Sequence, residues 1–326
     1  MRHARSVSAV AVAVVVLAVL VLAGAGPASA AQINIFSGSS PVFAPVFVAD
    51  AKGFFKNEGV DVSVRTFTSG AEATEGFRAG TAQFLVASDT PLLYLLPGGD
   101  VVMLAQFSQN QDMLLIVGDK GVKTPANLKG KKIGLVRKSA SEYLLRNYLR
   151  RGGITLDDVK LVHLAPFDQV PALVRGDVDA LSTWKPFDQK MFSLAPDKFQ
   201  VLSWNAREEY VLYSGIVAKR SYANANQEDV TKVLHALRKA SDWLASNDLS
   251  TVSQTLGQYL KTSPEDVAYV IKSNTWSMTD DPAFRKTLQD IEEFLLSQSL
   301  IGKKVNWAEA RGVVFLRKVD PGLVKE

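Results

Sequence analysis

The chain has 326 residues, of which 47% are hydrophobic and 21% are charged, a composition typical of a globular protein with a sizeable core. Its formal net charge is only +4, and so small an excess of basic residues gives no reason to expect a nucleic-acid partner. The chain contains no cysteine, which excludes disulfides, thiolate nucleophiles and cysteine-ligated metal sites.

The first thirty residues predict a secretory signal peptide. Basic residues within positions 2–5 precede an uncharged run, dominated by Ala, Val and Leu, over positions 7–23. Positions 28–30 read Ala-Ser-Ala, which is a small-residue cleavage motif. We therefore expect cleavage after Ala30 and export to the periplasm, without a lipid anchor because no cysteine follows the run. The alternative is an uncleaved membrane anchor, since the run is nearly long enough to span a bilayer.

The mature chain repeats one order of elements twice. The first copy is predicted to contain a strand at 33–36, a Ser-rich loop at 37–40, a helix at 41–58, a strand at 60–67, a helix at 71–79, a strand at 84–87 and a polar loop at 88–91. The second copy is predicted to contain a strand at 132–136, a loop at 137–141, a helix up to 151, a strand at 159–164, a helix at 171–174, a strand at 180–182 and a loop at 183–186. Ser139 and Glu142 predict a capping box at the start of the second copy's first helix.

This alternation of strands and helices predicts parallel sheets with helices on both faces. Ligands bind such sheets at the carboxyl ends of the strands. Two facing units therefore predict a cleft lined by the loops after the first and third strands of each copy. The rest of the chain is predicted to be helical and to add packing helices to the first lobe. With crossings near residues 108–117 and 213–217, lobe one would comprise residues 31–116 and 214–326, and lobe two residues 117–213.

Four segments of the mature chain resemble one family of transport proteins. They read SPVFAPVFVADAKGFFKNEGVDV, RAGTAQFLVASDTPLL, KTPANLKGKKIGLVRKSASEYLLRNYLRRGGI and VRGDVDALSTWKPF, in that order. This quartet resembles the sulfonate, taurine and nitrate group of ABC-transporter substrate-binding proteins, over essentially the whole mature chain. The pyrimidine-binding proteins of thiamine metabolism are similar too.

The resemblance implies an α/β fold of the type II periplasmic-binding-protein kind. Two lobes with mixed, mostly parallel sheets covered by helices would enclose a ligand cleft, with the extra C-terminal helices on lobe one. The resemblance also implies that the lobes close on a ligand. The protein, which we expect to be a monomer, would then deliver that ligand to ABC permease subunits in the inner membrane.

Two Ser-rich loops at predicted helix starts are candidate anion sites. Ser39 and Ser40 precede one helix, and Ser139, Ala140 and Ser141 form the matching loop of the second copy. Backbone N–H groups at a helix start point outward, and the helix dipole favours an anion. In the second loop small residues allow close approach, and the basic residues at 137 and 138 are near, although these could equally be solvated surface charges. Plain N-capping by the serines is the alternative.

The loops after the third strand of each copy supply the other candidates: Ser88, Asp89, Thr90, Trp184 and Lys185. The family pattern places polar ligand contacts in the first of these loops, although Asp89 could instead hold the loop by bonding backbone N–H groups. Trp184 offers a flat apolar wall with one N–H donor, or is a core tryptophan at a sheet end. Relatives often have an acid in place of Lys185, so its positive charge favours an anion without an amine, unless it points to solvent.

Gln109, near the first crossing, is a further candidate ligand contact. We expect a binding protein that catalyses no reaction. Its ligand would be a small organic anion such as a sulfonate, with a thiamine-precursor pyrimidine, another heterocycle or a carboxylate as alternatives. A pyrimidine-synthase-like enzyme is another class of alternative, but His163 and His235 are the only histidines of the mature chain and neither has a visible catalytic partner. We expect no cofactor and no metal. The effector lobe of a regulator is disfavoured by the signal peptide and by the missing DNA-binding domain.

Overall fold

The computed structural model describes residues 32–326, and two β-sheets organise this part of the chain. The predicted signal peptide at residues 1–30 and the predicted mature start at Ala31 lie outside the described residues. Both therefore stay predictions.

The first sheet has six strands. They are β1 (Ile33–Gly38), β2 (Val62–Phe67), β3 (Phe84–Ser88), β4 (Val101–Asn110), β10 (Leu212–Lys219) and β11 (Asn274–Thr279), in the order β11-β4-β10-β3-β1-β2. β1 is parallel to β2 and β3, whereas β10 runs antiparallel to β3 and β4, and β11 runs antiparallel to β4. The carboxyl ends of β1, β2 and β3 therefore meet at one edge of this sheet.

The second sheet has five strands. They are β5 (Leu114–Asp119), β6 (Lys132–Leu135), β7 (Lys160–His163), β8 (Ala180–Trp184) and β9 (Phe199–Trp204), in the order β7-β6-β8-β5-β9. β6 is parallel to β7 and β8, and β5 is antiparallel to β8 and β9. The two sheets thus share one plan, in which three parallel strands are extended by antiparallel ones.

Helices cover both sheets. In chain order they are α1 (Ala44–Ala51), α2 (Phe54–Asn57), α3 (Gly70–Arg78), α4 (Asp89–Leu93), α5 (Ala140–Arg151), α6 (Gln169–Arg175), α7 (Phe187–Leu194), α8 (Arg220–Ala225), α9 (Gln227–Ser246), α10 (Leu249–Leu260), α11 (Pro264–Ile271), α12 (Pro282–Ser297), α13 (Trp307–Ala310) and α14 (Val313–Val319). Short 3₁₀ turns occupy Pro41–Phe43, Leu96–Gly98, Pro125–Leu128, Leu156–Asp158, Pro166–Asp168, Asn205–Glu208 and Pro321–Leu323. Within residues 32–326, no helix combines the length and the apolar character needed to cross a membrane.

The helices added to the first sheet pack through the apolar faces that the sequence predicts. On α9 the predicted residues Val230, Val233, Leu234, Leu237, Ala240 and Leu244 are all buried, together with Ala236 and Ser241. This helix lies against α1 and β11. Fully burying one Val or Leu side chain stabilises a fold by roughly 1.5–3 kcal/mol, so this face anchors α9 firmly to the first sheet.

The predicted α/β class, with two helix-covered sheets, is confirmed. The prediction that the chain beyond residue 186 is helical was wrong, because β9, β10 and β11 lie there. β10 sits inside the first sheet and is buried along nearly its whole length. A strand that is buried on both faces lacks the alternation of apolar and polar residues that reveals a half-exposed strand.

Within residues 32–326 the chain changes sheet twice. It leaves the first sheet after Asn110 and enters the second at Leu114, and it returns between Trp204 and Leu212. The expected lobe boundaries, between residues 116 and 117 and between 213 and 214, lie a few residues inside β5 and β10. The structure shows where the chain passes from one sheet to the other. The division into lobes at the expected residues stays a prediction.

Candidate functional site

A small cavity lies where strand ends of the two sheets meet. The segments that follow β1, β2, β3, β6 and β8 line it, together with the starts of β5 and β10. The lining residues are Ser40, Val42, Phe43, Thr68, Ser69, Gly70, Ala71, Ser88, Pro91, Met113, Leu114, Ser139, Ala140, Ser141, Trp184 and Leu212. This is the edge at which parallel sheets bind their ligands, and we call this space the inner cavity.

The inner cavity is small and carries no charged wall. Its volume is about 50 Å³. Because about 10–15 Å³ suffices for one water molecule, it has room for about three to five waters or for one compact polar group. No acidic or basic side chain of residues 32–326 is among its lining residues. A charged ligand group would therefore meet hydroxyls, backbone amides and helix ends.

The start of α3 forms the wall on the side of the first sheet. Ser69 is the N-cap of α3, and its hydroxyl accepts a hydrogen bond from the backbone N–H of Glu72 at 3.1 Å. The amide of Gly70 belongs to the first turn, which has no intrahelical acceptor. Gly38 allows the close approach of β1 to this turn, because a Cβ there would lie 2.8 Å from Gly70 N. Ser40 Oγ is buried and has no hydrogen-bond partner among the described residues, so it is available to a ligand.

The start of α5 forms the opposite wall. The N-cap residue Ser139 donates from Oγ to the carbonyl of Val136 at 2.7 Å and accepts from the backbone N–H of Ser141 at 3.3 Å. The two serine hydroxyl oxygens are 2.7 Å apart, and since the Ser139 proton is engaged, the Ser141 hydroxyl is the donor of that pair. Ala140 has a small side chain, which leaves room for a ligand to approach the first amides of α5.

The predicted capping box at this helix start was wrong in its pairing. Glu142 accepts from the backbone N–H of Lys138 at 2.7 Å instead of that of Ser139. Lys138 precedes the N-cap Ser139 by one residue and has a left-handed backbone with φ of 59°. Its N–H therefore faces the first turn of α5. Arg137 Nε lies 3.0 Å from Glu142 Oε1. Burial raises the pKa of Glu142, while the Lys138 amide and the Arg137 charge oppose that rise.

Asp89 and Thr90 lie behind the cavity wall to which Ser88 belongs, and neither lines the inner cavity. Asp89 is fully buried and accepts hydrogen bonds from the Tyr210 hydroxyl at 2.5 Å, the Tyr213 backbone N–H at 3.0 Å and the Thr90 backbone N–H at 2.6 Å. Burial raises the pKa of Asp89 to about 6, although these hydrogen bonds lower it. Of the two roles that the sequence leaves open for Asp89, the structure shows the one that holds the loop.

Trp184 and Lys185 point to different places. Trp184 ends β8, lines the inner cavity and packs against Phe187 with the ring centroids 5.9 Å apart. Lys185 is buried, and its Nζ lies 2.8 Å from Asp112 Oδ2 and 4.7 Å from the centre of the Tyr269 ring. The Lys185 charge is therefore matched by Asp112 and does not face the inner cavity. Because Lys185 is buried, the alternative that its side chain points to solvent was wrong.

The remaining candidates stand outside the inner cavity. Lys138 Nζ pairs with Glu75 Oε1 at 3.1 Å. Ser39 is exposed and lines a neighbouring cavity. Gln109 lies in β4 opposite Tyr213 and lines none of the cavities described here. Ser39, Gln109, Arg137 and Lys138 therefore lie apart from the inner cavity. The predicted residues that do line it are Ser40, Ser88, Ser139, Ala140, Ser141 and Trp184.

Sequence reasoning missed the turn after β2 and the apolar part of the wall. Residues 68–71 line the inner cavity, whereas only the loops after the first and third strands were predicted to do so. The available signal was Ser69 followed three residues later by Glu72, a helix-start pattern placed directly after a strand. Met113 and Leu114 also line the cavity, but a short apolar stretch at a crossing carries no comparable signal.

Comparison with known proteins places the chain in a family. The family model described as NMT1/THI5 like matches residues 40–248, which is more than half of the chain. The chain belongs to the NMT1/THI5-like family. This family member is 26% identical over 295 residues to the taurine-binding periplasmic protein of Escherichia coli strain K12, and the match covers 85% of this chain and 90% of that protein.

Solved structures show the same fold as this NMT1/THI5-like chain. The alkanesulfonate-binding protein of Xanthomonas axonopodis pv. citri, bound to MOPS, superposes with a TM-score of 0.73 at 21% identity, covering 87% of this chain and 99% of that one. The desulfurization enzyme DSZB, solved as a cysteine-to-serine variant with biphenyl-2-sulfinic acid, superposes with a TM-score of 0.67 at 18% identity, covering 88% and 98%. The predicted family resemblance is confirmed, and the relatives support a binding-protein role. The expectation that this chain is not an enzyme stays a prediction.

Proposed function

We propose that this protein is the substrate-binding component of an ABC importer. It is exported to the periplasm, captures a small organic anion of the sulfonate class as a monomer, and delivers it to permease subunits in the inner membrane. Lobe one (residues 31–116 and 214–326) and lobe two (residues 117–213) close on the ligand. The taurine-binding and alkanesulfonate-binding relatives support this assignment.

The observation that carries the proposal is that two helix starts, one beside each sheet, border the same cavity. α3 begins at Gly70 and α5 begins at Ala140, and both residues line the inner cavity. The first-turn amides of a helix have no intrahelical acceptors, and the helix dipole makes this end positive. Two such ends that converge on one space favour an anion there. The Ser40 hydroxyl borders the same space, has no other partner among the described residues and adds a donor.

An anion in the inner cavity is compensated without a basic side chain. The nearby charges of the second sheet are already matched, Glu142 by Arg137 and Lys185 by Asp112. The positive potential at the site therefore comes from the helix ends, and hydrogen bonds to a charged group contribute about 1.5–3 kcal/mol each. Trp184 offers an apolar wall, which a bare inorganic ion would not use. An organic anion uses both parts of the site.

The contacts that join elements of the first sheet to elements of the second include two polar ones. Lys138 Nζ, after β6, lies 3.1 Å from Glu75 Oε1 of α3. The Tyr269 hydroxyl of α11 donates to Asp188 Oδ2 of α7 at 2.5 Å. We infer that both contacts form when the lobes close, because a hinge motion would separate the elements that carry them.

Calorimetry with a matched pair of ligands tests the proposed function. Hexanesulfonate and 1-hexanol share the same chain and differ in the charged head group. We expect the sulfonate to bind at least tenfold more tightly, because each charge-assisted hydrogen bond is worth about 1.5–3 kcal/mol. If 1-hexanol binds as well, or if hexylamine or a thiamine-precursor pyrimidine binds better, the sulfonate assignment fails and the pyrimidine alternative replaces it.

N-terminal sequencing of the exported form tests the localisation. The sequence should begin Ala31-Gln32-Ile33, as the small-residue motif at positions 28–30 predicts. Retention of residues 1–30 in the mature protein contradicts the expected cleavage.

A further inference from the structure

A second cavity lies at the opposite edge of the first sheet from the inner cavity. It has a volume of about 750 Å³ and shares no lining residue with the inner cavity. α3 begins at the inner cavity with Gly70 and ends at this one with Arg78, and β10 ends here at Lys219. Because β10 runs antiparallel to β3, this edge carries the amino ends of the parallel strands. We call this space the far cavity.

Three basic side chains line the far cavity: Arg78, Lys219 and Arg220. Of the described residues in its wall, only Asp100 is acidic. The ion pairs found within residues 32–326 involve other basic groups, so none of these three is matched by a carboxylate. The far cavity therefore carries an excess of positive charge, in contrast to the uncharged wall of the inner cavity.

Backbone carbonyls hold the three basic groups in place. Arg78 Nη2 donates to the carbonyl of Tyr94 at 2.6 Å, and Lys219 Nζ donates to the carbonyl of Gly80 at 2.8 Å. Arg220 donates from Nε and Nη2 to three further carbonyls, the nearest at 2.6 Å. A guanidinium has five N–H donors and an ammonium has three, so each group keeps donors for a ligand. The carbonyls orient the side chains but do not neutralise their charges.

The setting of these charges differs from that of basic residues scattered on an open surface. Lys219 and Arg220 are half-buried, and Lys219 Nζ lies 5.5 Å from the centre of the buried Phe77 ring. Partly buried charges are screened less by water and salt than fully exposed ones. Like charges that are held around one cavity repel each other, and an anion bound among them would offset that repulsion.

The chemistry of the wall favours a phosphate group. Guanidinium groups match the oxygens of a phosphate in bidentate geometry. Three basic groups against one acidic group leave an excess of two positive charges, which matches the charge of a phosphate monoester above its second pKa of about 6. The volume lies within the roughly 300–1,000 Å³ of pockets that hold small organic molecules, and Ser221 and Asn224 add polar groups to the wall.

We propose that the far cavity is a second anion site, which binds a phosphate group through Arg78, Lys219 and Arg220. This site is distinct from the one that captures the transported ligand, because the two cavities have no lining residue in common. A soluble phosphorylated compound and the head group of an anionic phospholipid present the same chemistry to it. The experiment has one arm for each source.

Calorimetric titration of the full mature protein with inorganic pyrophosphate at low ionic strength tests the soluble source. We expect one site per chain. Lys219→Gln and Arg220→Gln should each weaken binding by about tenfold or more, because each removes a charge-assisted hydrogen bond. The fitted stoichiometry reports the folded fraction, so a partly unfolded variant shows fewer sites and does not imitate a loss of affinity.

Lys160→Gln is the matched control. It removes the same charge, but Lys160 is exposed on β7 of the second sheet and lies outside the far cavity. It should keep the wild-type affinity for pyrophosphate. Ser40→Ala changes the inner cavity and should keep it too. If Ser40→Ala weakens pyrophosphate binding and Lys219→Gln does not, the anion occupies the inner cavity and the far site is overturned.

Cosedimentation with phosphatidylglycerol vesicles, compared with phosphatidylcholine vesicles, tests the lipid source. Binding of either probe that Lys219→Gln weakens and Lys160→Gln preserves supports the site and identifies the source of the phosphate. If neither pyrophosphate nor phosphatidylglycerol binds, or if Lys219→Gln and Lys160→Gln behave alike, the far site is overturned. The proposed function then stands, because it depends on the inner cavity.

Discussion

Replacing Tyr269 by Phe removes one hydroxyl from the contact between α11 and α7. That hydroxyl donates to Asp188 Oδ2. Asp188 is only 4% exposed, and its Oδ1 has no hydrogen-bond partner among the described residues. Burial, followed by the bond to Asp188, raises the pKa of Tyr269, so the hydroxyl stays a donor at neutral pH. A hydrogen bond to a charged group contributes about 1.5–3 kcal/mol. If this bond exists only in the closed form, Tyr269→Phe should weaken ligand binding by about 10- to 150-fold.

Tyr259→Phe is the matched control for this experiment. The Tyr259 hydroxyl donates to Asp50 Oδ2 at 2.6 Å, and both residues lie on helices beside the first sheet, α10 and α1. This bond persists whether the cleft is open or closed. Calorimetry with hexanesulfonate should therefore show weaker binding for Tyr269→Phe alone. Thermal unfolding of the ligand-free protein should show the larger loss for Tyr259→Phe. Wild-type affinity in Tyr269→Phe, or an equal loss in both variants, would refute the closure mechanism.

Three further predictions concern single side chains. Trp184→Ala should weaken hexanesulfonate binding at least tenfold in calorimetry, because it removes the apolar wall of the inner cavity, and an unchanged affinity contradicts that role. Ser40→Ala should weaken the same ligand by about tenfold or more, because the Ser40 hydroxyl lines the cavity and has no other partner among the described residues, and the ligand-induced thermal shift should fall with it. For Asp89, burial raises the pKa to about 6 from a usual value of about 4, so the native state binds a proton that the unfolded chain releases. The stability that this group contributes is present below roughly pH 4 and is lost as the pH rises towards 6. Denaturant titrations should show the wild type losing about 3 kcal/mol more than Asp89→Asn between about pH 4 and pH 7, and parallel pH profiles would contradict this.

The position of the inner cavity was predictable because it follows from the order of the strands. Once the strands are recognised as parallel, the rule about carboxyl ends places the loops at 37–40, 88–91, 137–141 and 183–186 at one edge. Ser40, Ser139 and Trp184 do lie there. A helix start also has a recognisable sequence pattern, and for this reason the turn at Ser69 could have been found by the same rule.

The direction of individual side chains was not predictable, because it depends on partners that are distant along the chain. Asp89 follows a lining residue but bonds to Tyr210, 121 residues away. Lys185 follows Trp184, yet neighbours on a strand face opposite ways, and its carboxylate partner Asp112 lies at the crossing between the sheets. β11 is an edge strand of mixed exposure, and its pairing with β4 is a long-range contact that no local pattern records.

The most direct test of the central claim is a crystal structure of the protein with hexanesulfonate, in which the anomalous scattering of sulfur locates the head group. We expect a sulfur peak inside the inner cavity, between the starts of α3 and α5, with a sulfonate oxygen within hydrogen-bonding distance of Ser40 Oγ. The hexyl chain should lie against the Trp184 ring. A sulfur peak beside the Nζ of Lys138 or Lys185, outside the inner cavity, would contradict the claim that helix ends and hydroxyls bind the anion.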